Sequence, residues 1–192
     1  MSDFWLYFKL GLTHVLDWAA YDHVLFIIVL CVAYSFTSWK KLLVLVTLFT
    51  VGHTASLFLS NYGIMQVPAQ WIEFLIPITI IATAAFNIVR AMRSLSVDKR
   101  TLLFMITPFF GLVHGFGFGR YFNQINDEQE LLPLLEFALG IEAAQLIVVL
   151  LVLIAGYLSN KIYPMKRQFS VIMVSFVVIL LSSLMLMENW PF

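Results

Sequence analysis

Four histidines, His14, His23, His53 and His114, and four carboxylates, Asp17, Asp22, Glu73 and Glu142, fall in or beside long apolar runs of this chain. An ionised group at mid-bilayer costs several kcal/mol, so such residues usually face a bundle interior and mark a pathway or a site. Any one of the eight could be a structural hydrogen-bonding residue. Eight together, in a chain with four histidines and eleven acids, are hard to explain as packing. The chemistry they fit is capture of a divalent transition metal: neutral imidazole suits nickel, cobalt, zinc and copper, and carboxylates neutralise the charge. The single thiol, Cys31, lies in an apolar run between Leu30 and Val32 and reads as a small apolar filler, which disfavours copper(I). No Lys or Arg lies deep enough to serve as counter-charge. Arg120 is the nearest, and its long side chain tends to snorkel toward water.

Local spacing adds detail. His14 and Asp17 are three residues apart and share a helix face. Asp22 and His23 are adjacent, so one can bind metal while the other orients it. Thr50, His53 and Thr54 share a face, and Ser56 lies near; hydroxyls there could fix the His53 tautomer. Pro77 removes the amide that would bond the Glu73 carbonyl, which leaves that oxygen as a candidate cation ligand or marks a plain kink. Gly111, Gly115 and Gly119 recur every four residues and give a smooth face for close helix packing, with His114 beside it. Glu142 and Gln145 share a face, an acid with an amide nearby.

Long apolar helices must position these groups. The 192 residues are 61% hydrophobic and 11% charged, against about half and a quarter in soluble domains, so lipid must be the solvent. With about 20 apolar residues per crossing, spans are expected near 20–38, 42–61, 69–90, 101–120, 132–158 and 169–188. The expected fold is all-α: one membrane domain, 1–192, of about six transmembrane helices. Residues 4–19 form an extra helical stretch, lying in the interface or extending the first span outward. Trp5, Tyr7 and Trp18 there suit a headgroup position. No cleavable leader is read in residues 1–10, where Asp3 precedes Lys9.

Charge gives the orientation. Lys40, Lys41, Arg90, Arg93, Lys99, Arg100, Lys161, Lys166 and Arg167 fall in loops of one side, and Lys9 and Arg120 on the other. Basic loops are cytoplasmic, so both termini are expected outside, as in a bacterial inner-membrane protein. Asp127, Glu128, Glu130 and Glu136 are then read as one outer acidic loop, either a solvated loop or a cation-attracting mouth. At 1.5 Å per residue, His53 lies about 18 Å above Lys41 and His114 about 21 Å above Arg100. On the same scale His23 lies about 26 Å from Lys40, Glu73 about 26 Å from Arg90 and Glu142 about 28 Å from Lys161. Five helices running in alternating directions thus place their costly residues in the same outer half, and the orientation was derived without them.

These residues resemble the HupE/UreJ family of nickel (cobalt) permeases over most of the chain. The elements are His14 followed by Tyr21-Asp22-His23-Val24-Leu25-Phe26, then Phe49 to Leu57 around His53, then Glu73. They continue with Phe110 to Phe118 around His114 and Gly140-Ile141-Glu142-Ala143-Ala144-Gln145. Each is weak alone and together they are specific. The resemblance implies a small multi-span metal carrier that supplies hydrogenase or urease maturation.

Two functions are therefore weighed. One is a secondary transporter taking a divalent metal inward, nickel first and cobalt or zinc next. The alternative is an intramembrane zinc hydrolase, in which His23, His53, His114 and Asp22 hold the metal and Glu73 or Glu142 is the base. In its favour, the inner half offers only neutral groups such as Ser35, Thr37, Thr47, Thr83 and Asn87, although alternating access could expose an outer site without further charges. The partners expected are the metal ion and the lipid bilayer, with no nucleic acid; a homo-oligomer is left open.

Overall fold

The structure, a computed structural model, describes residues 4–17, 21–93, 101–126 and 129–191. These form seven α-helices and no strand among the described residues: α1 Phe4–Leu16, α2 Asp22–Val32, α3 Trp39–Asn61, α4 Ala69–Met92, α5 Thr101–Ile125, α6 Leu131–Ile162 and α7 Arg167–Glu188. A short 3-10 turn, Phe36–Ser38, leads into α3. The segments Phe36–Asn61, Ala69–Met92, Leu131–Ile162 and Arg167–Glu188 are each long and apolar enough to cross a membrane. Starts and stops follow the punctuation of the sequence. Pro68 precedes α4, and Pro133 sits in the first turn of α6, where a missing amide costs nothing. Past the end of α3 the chain turns at Gly63 with φ +69°, in the left-handed region that glycine tolerates best.

The first expected span is not a continuous helix. Within 20–38 the chain folds the 11-residue α2, which ends at Val32, and the helix before it, α1, ends at Leu16. Trp18 and Ala20 lie outside the described residues, as do the loop charges Lys99, Arg100, Asp127 and Glu128. A helix that stops inside an apolar bundle leaves carbonyl oxygens without amide partners, and in lipid these must be satisfied by protein. Three neighbours do so here. Asn87 Nδ2 on α4 donates to the Val29 carbonyl (2.6 Å), the Tyr34 amide to that of Cys31 (2.8 Å), and Arg167 Nη2 on α7 to that of Ala33 (2.9 Å).

Helix α1 packs on the bundle rather than beside it. Gly11 and Gly140 meet where α1 crosses α6: a methyl group at Gly11 would run into the Phe137 carbonyl, and one at Gly140 into the Phe8 carbonyl. The Tyr7 hydroxyl donates to the Ile125 carbonyl at the end of α5 (2.9 Å), while Trp5 is exposed.

Helices α3 and α5 run parallel in close contact. A methyl group at Gly52 would strike the Pro108 carbonyl, one at Gly111 the Phe49 carbonyl, and one at Gly115 Ser56 Oγ and the His53 carbonyl. At Gly119 it would stand 2.6 Å from Ser60 Oγ. The expected glycine face on α5 is therefore a helix-packing surface, and its partner is α3. Buried Phe26, Phe49, Phe122, Phe137 and Leu57 fill the space around these contacts.

Candidate metal site

Four helices deliver the four histidines to one place. His14 comes from the last turn of α1 and His23 from the first turn of α2, on either side of the break. His53 comes from α3 and His114 from α5, held together by the glycine contacts. The rings of His14 and His23 are 4.8 Å apart between centroids, and each lies 5.7 Å from the ring of His53. The His114 ring is 5.3 Å from that of His23. One ring nitrogen each from His14, His23 and His53 lies within 4.8 Å of the others. Nitrogens about 2 Å from a shared metal lie about 3–4 Å apart. The three are thus gathered at slightly more than ligand spacing.

Their hydrogen bonds leave nitrogens free in a defined way. His114 Nδ1 stands 2.8 Å from the Phe110 carbonyl, which can only accept, so Nδ1 carries the proton and Nε2 keeps its lone pair. His23 Nδ1 is 3.0 Å from Asp22 Oδ1, and the same oxygen accepts from the His23 amide at 2.8 Å. Asp22 therefore fixes the His23 ring and its tautomer. The Nε2 atoms of His14, His23 and His114 and both ring nitrogens of His53 are buried with no hydrogen-bond partner among the described residues. An unpaired buried polar atom is costly, and in this group each neutral ring can offer one lone pair, four in all, to an electron-pair acceptor. Phenylalanines wall the group: the Phe118 ring centroid is 4.1 Å from that of His14, the Phe49 centroid 5.1 Å from His114, and the Phe137 centroid 5.8 Å from His14.

The other expected residues are placed differently. Asp17 is exposed, just past the end of α1. Glu73 is exposed on α4, and neither it nor Glu142 is among the residues whose ligand atoms converge. Glu142 accepts from the Thr47 hydroxyl (2.6 Å), and Gln145 Oε1 accepts from the Thr50 hydroxyl (2.9 Å), so this acid and its neighbouring amide tie α6 to α3. The hydroxyls near His53 do not set its tautomer: Ser56 Oγ donates to the His53 carbonyl (2.8 Å), and Thr50 is turned toward Gln145 and the Val46 carbonyl. Glu136 belongs to α6 and is buried there, because α6 already begins at Leu131; it is not part of an outer loop.

Sequence reasoning missed the aromatic wall. Phe118 lies within the glycine motif and could have been suspected, whereas Phe137 carries no local signal. It also read Asn87 only as a neutral inner group and Arg167 only as loop charge, whereas both cap α2.

Taken together, the long apolar helices define a polytopic membrane protein, and its four histidines cluster inside the bundle. Residues 1–189 match the family described as HupE / UreJ protein, and the chain belongs to that family. Neither a curated protein nor a solved structure was found to match.

Proposed function

We propose that this protein is a permease that carries a divalent transition metal, nickel first and cobalt or zinc next, inward across the bacterial inner membrane. In this reading His14, His23, His53 and His114 bind the ion in transit, with Asp22 orienting His23. The observation that carries it is the set of five buried ring nitrogens without partners. Two of the four rings have the opposite nitrogen already engaged, as in metal sites where the distal nitrogen is hydrogen-bonded to a carboxylate or carbonyl. Family membership supports a role in metal transport.

The broken first span suits a carrier. Together α1 and α2 have 24 residues (13 and 11), about 36 Å of helix, enough for one crossing. With α3 to α7 this reading has six spans, and the nine basic residues on one side support both termini outside. Discontinuous helices are where secondary transporters bind their substrates near the midplane. The hydrolase alternative needs a carboxylate base against the metal. Glu73 is exposed on α4 and Glu142 is engaged with Thr47, which argues against it.

The test is elemental analysis of gently purified protein together with radioactive nickel uptake by cells that produce it. Stoichiometric metal and uptake above an empty-vector control are expected, and His53→Ala should reduce nickel affinity at least about 100-fold while the protein still folds. Absence of bound metal, with thermal stability unmoved by titrated nickel, cobalt and zinc, would end the reading.

A further inference from the structure

Two cavities adjoin the outer part of α5, and they differ in charge. The first, about 470 Å³, is lined by Ser60, Gln66, Arg120, Asn123 and Gln124. Its ionisable group is a guanidinium, which repels a divalent cation. The second, about 450 Å³, lies between α1 and α5 and is lined by Leu10, Thr13, His14, Asp17, Phe118 and Tyr121. Its ionisable groups are a carboxylate and an imidazole. Asp17, Thr13 and Tyr121 are exposed, whereas His14 is half-buried and its Nε2 has no partner. His14 thus belongs to two places at once. It lines the cavity, and its ring stands 4.8 Å from that of His23 and 5.7 Å from that of His53.

We propose that the cavity between α1 and α5 is the outer port of the site, where Asp17 captures a hydrated divalent cation and His14 hands it to His23 and His53. This rests on the permease reading above. The chemistry is ordered along the path. A carboxylate near water suits a cation that still holds its hydration shell, because it attracts by charge without demanding geometry. Imidazole nitrogen is the better ligand once the cation has shed water, and it lies further in. The Phe118 ring, packed on His14, closes the inner side of the port with apolar surface and leaves the imidazole as the polar way through. Asp17 is in this view a capture residue rather than a ligand of the resting ion.

The single native cysteine makes the port accessible to a clean experiment. Cys31 is 1% exposed, so a cysteine introduced at an exposed position is labelled alone. Thr13→Cys places a thiol in the port, and Gln124→Cys places one in the arginine cavity as control. Each purified variant is modified with a quaternary-ammonium thiosulfonate, and nickel chloride association is followed by stopped flow, with stoichiometry by equilibrium dialysis. The adduct at Thr13→Cys should slow association at least about tenfold, leave the final stoichiometry intact and be reversed by a reductant. The adduct at Gln124→Cys should change the rate less than about twofold. Asp17→Asn should slow nickel association and dissociation together, leaving the dissociation constant within about twofold. Unchanged association after labelling Thr13→Cys, or slowing through Gln124→Cys, overturns the port. A dissociation constant raised tenfold or more in Asp17→Asn makes Asp17 a ligand and overturns its assignment as a capture residue. Should the unmodified protein take up no nickel, the permease reading itself falls. Should it bind nickel with label-independent kinetics, only the port falls.

Discussion

The candidate ligands arrive on two kinds of scaffold. His53 and His114 sit on α3 and α5, which touch backbone to backbone at Gly52, Gly111 and Gly115. His14, Asp22 and His23 sit on the facing ends of α1 and α2, both of which pack on α6. Helix α1 is seated on α6 through Gly11 and Gly140, while α2 is held at its far end by Asn87 of α4 and Arg167 of α7. One pair is a wall joined backbone to backbone, and the other is two helices on either side of a helix break that share a third helix, α6. The difference teaches that buried histidines reach one place by two routes, a direct contact between two long helices and a break between two short ones.

The largest expected effect breaks the wall. Gly115→Leu drives a side chain into Ser56 and the His53 backbone, an overpacking that should cost about 3 kcal/mol or more. It should yield aggregated protein or a melting temperature far below wild type, with nickel binding lost as well. Gly156→Leu, where nothing lies within 4 Å of an added carbon, is its control and should melt like wild type. Equal melting of both variants would show that the α3–α5 contact is not what holds the wall.

The next effect acts on the facing pair. Asp22→Asn keeps the size of the side chain but weakens the hold on His23 Nδ1, and an orienting partner of a metal-binding histidine is typically worth 10–100-fold in affinity. Titration calorimetry with nickel should show a loss in that range with little change in melting. Gly11→Leu should be milder. Pushed off Phe137, α1 carries His14 away while His23, His53 and His114 stay, so nickel affinity should fall about tenfold in folded protein. Loss of all binding in this variant would mean that α1 and α2 behave as one rigid unit after all. Smallest is Glu73→Gln. Glu73 is exposed on α4, outside the converging group, and its substitution should leave equilibrium affinity within about twofold.

Much of this architecture was legible in the chain. The polar break Asn61-Tyr62-Gly63 falls where α3 ends, and the Gly111, Gly115 and Gly119 spacing identified a packing face. Convergence of the histidines could be anticipated because distance along a helix from basic loop residues measures depth. Depth does not give azimuth, however. The rotation of α4 aims Glu73 outward, and Glu142 meets Thr47, a group read as inner that precedes His53 on α3, so it was expected too near the histidines. The break between Leu16 and Asp22 carries no glycine or proline, and the end of α2 at Val32, inside the expected 20–38 run, was not legible. What makes it tolerable is remote in sequence: Asn87 and Arg167 are far along the chain from the carbonyls they satisfy.

The contact between α3 and α5 has a further consequence, for the entropy of capture. In lipid the hydrophobic effect does not drive helices together; dispersion and weak Cα–H···O bonds do, and both need the close approach that glycine allows. Side chains on such a pair have already lost most of their freedom before any ligand arrives. Ordering a rotamer-rich side chain on binding costs about 0.5–1.5 kcal/mol. The loss at His53 and His114 is therefore met when the protein folds, and under the permease reading proposed above an ion would have only the α1–α2 side left to immobilise.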